Sequence, residues 1–249
     1  MSTALSTGEH ARRVCLLTGA GGTLGNAFCR RYAGHYDIVA VCRSRAPDVV
    51  SQHEQYVDPL APEAVLPENG ERVFVVRADL EQDGQPERVV ELALARFGRV
   101  DLLVNGAAYS NWTPHGLADG DAALRDAGRH FAVNVELALR MAVGLAQQSW
   151  MHRDLDNRRY NRNIVNVSSL AATTVFPHQG QGVYAASKAA LNHLTRHLAS
   201  EFAALGVRVN AVAPNSFPSI VSTDSVARAI TRLDGESVTG RILVVDADR

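Results

Sequence analysis

The sequence predicts an α/β fold in which a doubly wound, parallel, seven-stranded sheet lies between two helix layers, a three-layer α/β/α arrangement. Seven short, nearly continuous apolar runs alternate with helix-compatible segments along the chain. Such runs are typical of parallel strands, because helices cover both faces of a parallel sheet. No linker or internal repeat interrupts the alternation. We therefore expect one domain at 13–249, preceded by a flexible tail at 1–12.

The predicted elements follow one another in a regular order. Strands are predicted at 14–18, 38–42, 73–76, 102–105, 164–168, 207–212 and 242–245. Helices are predicted at 23–34, 86–97, 121–150, 183–205 and 224–233. Three of these helical patterns end at or just before a glycine, namely Gly34, Gly98 and Gly206, and glycine is the usual stop signal of a helix.

Two segments break the alternation of strands and helices. Residues 44–70 contain Pro47, Pro59, Pro62 and Pro67, a density of proline that excludes a long helix. Residues 152–163 are polar and carry charges of both signs, which favours a solvated surface loop over a binding patch.

Composition and charge exclude several classes of partner. The 249 residues have a formal net charge of −1, with 46% hydrophobic and 20% charged residues. This balance gives no reason to expect nucleic acid or an anionic membrane as a partner. No apolar run approaches the roughly 18–20 residues that span a bilayer, and residues 1–12 lack the apolar centre of a secretory signal.

The three cysteines, Cys15, Cys29 and Cys42, are spaced unlike the ligands of any zinc motif. Two lie in predicted strands and one in a predicted helix, so we expect buried free thiols and no metal site. Free thiols favour a reducing, cytoplasmic location.

One stretch places a phenol and an amine at helical spacing. Tyr184 and Lys188 are four residues apart, so they share one face of the predicted helix. A nearby cation is expected to lower the pKa of a tyrosine. Ser168 and Ser169 end the apolar strand just upstream, which brings a hydroxyl toward the same pocket.

A glycine-rich run, residues 18–25, lies between the first strand and the first helix. Glycines at such a turn allow a pyrophosphate to approach the backbone, and the helix N-terminus offers free N–H groups to the anion. The strand–turn–helix context therefore predicts a dinucleotide site.

With these motifs in order, the chain resembles the short-chain dehydrogenase/reductase family, in its compact single-domain branch, over nearly the whole length. The resemblance implies a Rossmann fold, an oxidoreductase activity and a nicotinamide dinucleotide cofactor. Thr23 stands where the compact branch usually has glycine, and the Gly22–Gly25 spacing is closer to the extended branch. Cofactor-binding positions implied by the resemblance are Thr18, Gly19, Gly22, Thr23, Leu24, Gly25, Arg43, Ser44, Asp79, Leu80, Asn105, Gly106, Ala107, Tyr184, Lys188 and Pro214.

The end of the second strand decides which cofactor is expected. Residues 42–45 contain no carboxylate for a ribose 2′-hydroxyl, and Asp37 begins the strand, at the wrong edge of the sheet. Arg43 offers a planar fork suited to a 2′-phosphate, the alternative being a solvated surface arginine. The sequence therefore predicts NADP(H), with NADPH preferred over NADH.

The resemblance also implies catalytic roles. Tyr184 would protonate a carbonyl oxygen, Lys188 would lower the pKa of Tyr184 and bind the nicotinamide ribose, and Ser169 would hydrogen-bond the substrate oxygen. Ser168 competes with Ser169 for that role. Asn134 would hold a proton-relay water near the lysine.

Other residues are candidates for the substrate pocket. His115 and His178 lie in loops at the carboxyl edge of the sheet, where Trp112 and Phe176 could form an apolar wall. His193 and His197 are four apart on a helix, but without a third ligand they are expected to be exposed or to face another subunit.

The segment after the sixth strand departs from the family pattern. Pro214 is followed by Asn215 in place of the usual glycine, and the long substrate-covering lid is reduced to residues 216–223. We expect an open site for a bulky or carrier-held substrate, or one completed by a neighbouring subunit. The predicted activity is reduction of a ketone to an alcohol, or the reverse.

Two other functions stay open at this point. One is an epimerase or dehydratase that uses bound cofactor transiently, and the other is a non-catalytic dinucleotide-binding scaffold or sensor. In this family, helix 121–150 and the helix after Tyr184 usually pair between subunits, which implies a homodimer or homotetramer.

Overall fold

The computed structural model describes residues 12–49, 72–113 and 116–247. Seven strands form one parallel sheet in the order β3-β2-β1-β4-β5-β6-β7. The strands are β1 Arg13–Thr18, β2 Tyr36–Cys42, β3 Val73–Arg77, β4 Leu102–Asn105, β5 Asn163–Val167, β6 Arg208–Pro214 and β7 Ile242–Val245. The predicted doubly wound α/β fold is therefore confirmed.

Helices cover both faces of this sheet. The α-helices are α1 Thr23–Tyr32, α2 Gln85–Phe97, α3 Asp121–Phe131, α4 Leu137–Leu145, α5 Asp154–Arg159, α6 Gly182–Phe202 and α7 Thr223–Gly235. Two π-helical segments, Ala132–Glu136 and Ala146–Trp150, follow α3 and α4, so the predicted helix at 121–150 is helical throughout but not uniform. Within the part of the chain that is described, no helix is both long and apolar enough to cross a membrane.

Side chains of alternating direction along each strand divide the core into two layers. Leu16 and Leu103 pack with α2, α4 and α6 on one face, where Trp150 is fully buried. Leu17 and Leu102 pack with α1 and α7 on the other face. Because both faces of β1 and β4 are covered, these strands are apolar except at their ends, where Arg13, Thr18 and Asn105 stand.

The sheet order reverses beside β1, which pairs with β2 on one side and β4 on the other. The chain leaves β1 and β4 toward opposite halves of the sheet, so a crevice opens at their carboxyl ends. Asp37 lies opposite Val14 at the other end of β2, as the sequence predicted.

Residues 152–156 and 158–160 are exposed, as the sequence predicts for this segment, but the segment is not a loop throughout. The segment contains α5, and Asn157 is fully buried. Its Nδ2 donates to the carbonyl oxygens of Trp150 and Leu205 at 2.8 and 2.7 Å. Asn157 thus satisfies carbonyls at the ends of the neighbouring helices, whereas most polar residues around it are exposed.

The prediction of buried free thiols is confirmed for Cys15, Cys29 and Cys42. Burial raises the pKa of Cys29 to about 12. The tail at 1–11 and most of the proline-rich segment, 50–71, lie outside the described residues, and the predictions made for them are not tested.

Candidate active site

A cavity of about 320 Å³ lies at the carboxyl ends of the four strands around the crevice. It is lined by the turn after β1, the ends of β2 and β3, the loop after β4 and the side of α3. The predicted cofactor residues on its wall are Gly19, Gly22, Arg43, Asp79, Leu80, Gly106 and Ala107.

The turn after β1 requires glycine for steric reasons. Gly19 has a φ of +72°, and a Cβ there would lie 2.8 Å from the Ala107 nitrogen. A Cβ on Gly25 would lie 2.5 Å from the Ala20 Cα. A side chain at Gly19 would push away the loop after β4, and one at Gly25 would push α1 away from the turn, so both positions need glycine for this close packing.

The N-terminus of α1 is open to an anion. Gly22 is its N-cap, no side chain caps the first turn, and the first turn contains no acidic residue. Free N–H groups and the positive end of the helix dipole therefore face the cavity that Gly19 and Gly22 line. This cradle fits the pyrophosphate of a dinucleotide. Thr23 is exposed beside it, whereas Leu24 and Gly25 are buried beneath it.

Thr18 and Asn105 support the cavity from behind. The Thr18 hydroxyl accepts hydrogen bonds from the backbone nitrogens of Gly106 and Ala107, both at 3.1 Å. Asn105 is buried and donates through Nδ2 to Asn166 Oδ1 at 2.9 Å. Both residues are predicted cofactor positions; in the structure the Thr18 side chain holds the loop after β4, and the Asn105 side chain binds β5.

Basic side chains surround the end of β2. Arg43 is exposed, and its Nη1 lies 3.2 Å from Glu81 Oε1. Ser44 and Arg45 line an adjoining cavity of about 430 Å³ with Gly21 and Gly22. Arg45 Nε donates to the Gly21 carbonyl at 2.9 Å, so a second guanidinium beyond the predicted Arg43 lies against the glycine turn.

Tyr184 and Ser169 share a second cavity, of about 510 Å³, at the same edge of the sheet. Tyr184 lies in the first turn of α6, and its side chain interacts with that of Ser169, the second residue after β5. Ser168 Oγ donates to the Lys188 carbonyl at 3.3 Å. Of the two competing serines, Ser169 is therefore the one that faces Tyr184. Pro214, at the end of β6, also lines this cavity.

Lys188 is buried one helical turn beyond Tyr184, with 2% of its surface exposed. Its Nζ donates to the Val167 carbonyl at 2.8 Å and lies 5.8 Å from the centroid of the Tyr184 ring. Burial lowers the pKa of Lys188 to about 8. It is also the only lysine in the sequence, all other Lys/Arg positions being arginine.

The expected effect of Lys188 on Tyr184 is wrong. Burial raises the pKa of Tyr184, and the interaction with the Ser169 side chain opposes that rise. The Lys188 ammonium points to a backbone carbonyl of β5, and both groups are removed from water in the same pocket. Desolvation therefore determines the direction for the phenol.

Asn134 lies in the first π-helical segment and joins three parts of the site. Its Nδ2 donates to the Tyr109 carbonyl and to Ser187 Oγ, both at 2.9 Å, and its Oδ1 accepts from the Tyr109 nitrogen at 2.8 Å. Ser187 Oγ donates in turn to the Tyr184 carbonyl at 2.7 Å. Asn134 thus fixes the loop after β4 against the helix of Tyr184.

The aromatic and histidine residues predicted for the substrate pocket lie in different places. The rings of Trp112 and Tyr184 are 5.6 Å apart, and Phe176 lines the same cavity. His178 lines a neighbouring cavity of about 700 Å³, while His115 lies outside the described residues. His193 and His197 contact each other on the exposed side of α6, with 3.2 Å between their Nε2 atoms.

Sequence reasoning missed two residues of the first cavity, Glu81 and Arg129. Arg129 donates twice to the Glu81 carboxylate, with both distances at 2.8 Å. One signal was available for Glu81, since it directly follows the Asp79-Leu80 pair. No comparable signal marks Arg129.

Comparison with known proteins decides the family. The family model described as short chain dehydrogenase matches residues 13–230. The chain belongs to the short-chain dehydrogenases. This family is one of oxidoreductases that bind a nicotinamide dinucleotide, which agrees with the glycine cradle.

Among the relatives, an uncharacterised short-chain type dehydrogenase/reductase of Sinorhizobium fredii is 29% identical over 94% of this chain and 43% of its own length. The short-chain dehydrogenase/reductase FrzI of Cladobotryum is 36% identical over 64% of this chain and 54% of its own length. The chain thus spans about half the length of these two proteins.

A crystal structure of 3-ketoacyl-(acyl-carrier-protein) reductase from Brucella melitensis, complexed with NADH, is similar to this short-chain dehydrogenase with a TM-score of 0.74. The two are 26% identical, and the match covers 95% of this chain and 98% of the Brucella chain.

Proposed function

We propose that this short-chain dehydrogenase uses NADPH to reduce a ketone to an alcohol, or catalyses the reverse oxidation. The observation that carries the proposal is the pair of hydroxyl side chains, Tyr184 and Ser169, which interact on the wall of one cavity. A carbonyl oxygen placed between them would receive two hydrogen bonds. Such donors stabilise the negative charge that develops on oxygen during reduction.

The protonation states of Tyr184 and Lys188 indicate their roles in the reaction. When bound, the nicotinamide supplies the hydride. Tyr184 retains its proton near neutral pH, because burial raises its pKa, and it acts as the acid toward the substrate oxygen. Lys188, with a pKa of about 8, is mostly protonated at pH 7 and supplies positive charge beneath the ring. Asn134 fixes the loop after β4 and is proposed to hold a relay water.

Arg43 supports the choice of NADPH. No carboxylate lies at residues 42–45, and Arg43 Nη1 extends along the cavity rim. A charge-assisted bond of this type contributes about 1.5–3 kcal/mol. We expect Arg43→Ala to weaken NADPH about tenfold or more and leave NADH nearly unchanged. A wild-type protein that binds NADH more tightly would refute the cofactor assignment.

The described lining of the substrate cavity favours a bulky, uncharged ketone. Its large apolar side chains are Trp112, Phe176, Phe217 and Ile220, and its polar ones are uncharged, with no Asp, Glu, Lys or Arg among the described lining residues. Phe176, Gln179 and Gln181 also line the 700 Å³ cavity, so the two spaces adjoin. Only residues 215–222 connect β6 to α7. This short connection supports an open site, and a carrier could remain outside while its acyl group enters.

The decisive experiment follows NADPH absorbance across a panel of small and bulky ketones. We expect turnover with the bulky members, and Tyr184→Phe should lose nearly all of it while the Kd for NADPH is retained. Turnover that is unchanged in Tyr184→Phe contradicts the assignment. If the wild type binds NADPH but turns over no ketone of the panel, the result favours the scaffold or sensor alternative. If substrate is converted without net consumption of NADPH, the result favours an epimerase or dehydratase.

We also propose an oligomeric state and a cellular location for the protein. We propose one domain at 13–249 that forms a homodimer or homotetramer through α3, α4 and α6. Leu124, Phe131 and Val143 are exposed apolar side chains on α3 and α4, which supports a covered surface there. The three free thiols support a reducing cytoplasm. Size-exclusion chromatography with light scattering tests the oligomer.

A further inference from the structure

Three charged side chains meet at the rim of the 320 Å³ cavity, and we call them the rim cluster: Arg43 after β2, Glu81 after β3 and Arg129 in α3. Glu81 Oε1 accepts from Arg43 Nη1 at 3.2 Å and from Arg129 Nη2 at 2.8 Å. Glu81 Oε2 accepts from Arg129 Nε at 2.8 Å. The carboxylate therefore bridges two guanidinium groups.

Arg129 is the firmly held partner of Glu81. It binds both carboxylate oxygens through two different nitrogens, the geometry that most favours an arginine–carboxylate pair. Its guanidinium also lies 4.2 Å from the centroid of the Tyr109 ring. Asn134 binds the backbone of Tyr109 on both sides, so Arg129 packs against a fixed surface. The hydrogen bonds from Arg129 keep the pKa of Glu81 below its ordinary value.

Arg43 is the weakly held partner. It makes one hydrogen bond to Glu81, at 3.2 Å, and 60% of its side chain is exposed. An exposed, singly bonded arginine can exchange partners at little cost. A 2′-phosphate at the end of β2 would be such a partner, and Arg43 would then give up all or part of its interaction with Glu81.

We propose that Glu81 is a specificity-determining residue of the cofactor site, which competes with a cofactor 2′-phosphate for Arg43. Arg129 limits that competition, because it neutralises the carboxylate that attracts Arg43. The rim cluster thus carries a net charge of +1, where Arg43 and Arg129 alone would give +2. This lowers the advantage of NADPH over NADH. The inference rests on the proposed use of NADP(H).

Two substitutions separate this competition from a structural role, since they remove opposite ends of the same ion pair. Glu81→Gln keeps the size of the side chain and one acceptor for Arg129, but it frees Arg43. Arg129→Gln leaves the Glu81 charge with Arg43 as its sole rim partner. The probes are 2′,5′-ADP and ADP, which differ by the 2′-phosphate alone and require no turnover. Titration calorimetry at one fixed low salt concentration gives each Kd.

We expect Glu81→Gln to bind 2′,5′-ADP about two- to fivefold more tightly and Arg129→Gln about two- to fivefold more weakly, the scale of an exposed ion pair. The Kd for ADP should stay within about twofold in both. Adding Arg43→Ala to Glu81→Gln should remove the gain. Unfolding temperatures of all variants confirm that they are folded.

Several results overturn the inference. If the bridge only supports the loop after β3, both variants weaken 2′,5′-ADP and ADP together. The inference is also overturned if the double variant, Glu81→Gln with Arg43→Ala, still binds 2′,5′-ADP more tightly than Arg43→Ala alone. If the wild type binds the two probes equally while the variants diverge as expected, the NADPH preference fails and the role of Glu81 stands. If the wild type binds neither probe, both proposals fail.

Discussion

Replacing Lys188 with methionine should stabilise the protein against unfolding while it abolishes turnover. Lys188 is a base whose pKa falls from an ordinary value of 10.5 to about 8 on folding. The unfolded chain therefore binds the proton more tightly than the folded protein, and stability rises with pH between these two values. Burying the charged amine costs about 3 kcal/mol at pH 7 and about 1 kcal/mol at pH 10.

Methionine removes that cost and fills a similar volume, but it leaves the Val167 carbonyl without its donor. That loss offsets about 1 kcal/mol of the gain. The net expectation at pH 7 is about 2 kcal/mol of added stability, which shrinks to near zero or reverses by pH 10. Urea unfolding of both proteins at several pH values measures the difference.

Because Lys188 is the only lysine, ¹⁵N-lysine labelling gives a single side-chain signal whose titration reports its pKa directly. A pKa near 10.5 would refute the reasoning, as would a stability difference between Lys188→Met and wild type that does not change with pH. Turnover in Lys188→Met equal to wild type would refute the placement of this amine in the catalytic site.

Three further expectations follow from other contacts. Ser169→Ala should lower kcat about 10²-fold or more, because the Ser169 hydroxyl faces the substrate oxygen. Ser168→Ala should retain most activity, because the Ser168 hydroxyl bonds to the Lys188 carbonyl. Equal losses of kcat in the two variants would contradict the assignment. Gly21→Ala places a Cβ 1.8 Å from the Arg45 carbonyl, so calorimetry should show weaker NADPH binding, and an unchanged Kd would count against the close packing. Asn157→Ala removes the donor to the Trp150 and Leu205 carbonyls and the acceptor of Arg162, and it should lower the free energy of unfolding by about 2–4 kcal/mol, with a neutral result excluding its structural role.

The strands were predictable because their signal is local. The bounds of Leu102–Asn105 and Ile242–Val245 agree with the sequence prediction, since each is an apolar run that ends at a change of composition. The common face of Tyr184 and Lys188 follows from helical spacing alone.

The direction of the pKa shift on Tyr184 could not be predicted in the same way. It depends on how much water β5 and the loops exclude, and that burial is set by residues far from Tyr184 in the sequence. The pairing of Glu81 with Arg129, 48 residues apart, is equally invisible to a local pattern. The burial of Asn157 was not predictable from its segment, because a polar residue among charged ones is usually exposed. Asn157 is buried because it bonds to two carbonyls at helix ends.

The π-helical segment Ala132–Glu136 can absorb a change of chain length in this region. Such a segment accommodates one residue more than regular winding over the same turn. Deleting a single residue there would therefore let the chain close into a regular α-helix, while Met141 and Leu145 of α4 keep facing the sheet, where they are now fully buried. The same deletion within the regular part of α4 would rotate the residues beyond it by about 100° around the axis. The damage within the segment is expected to be local, at Asn134, whose side chain binds Tyr109 and Ser187.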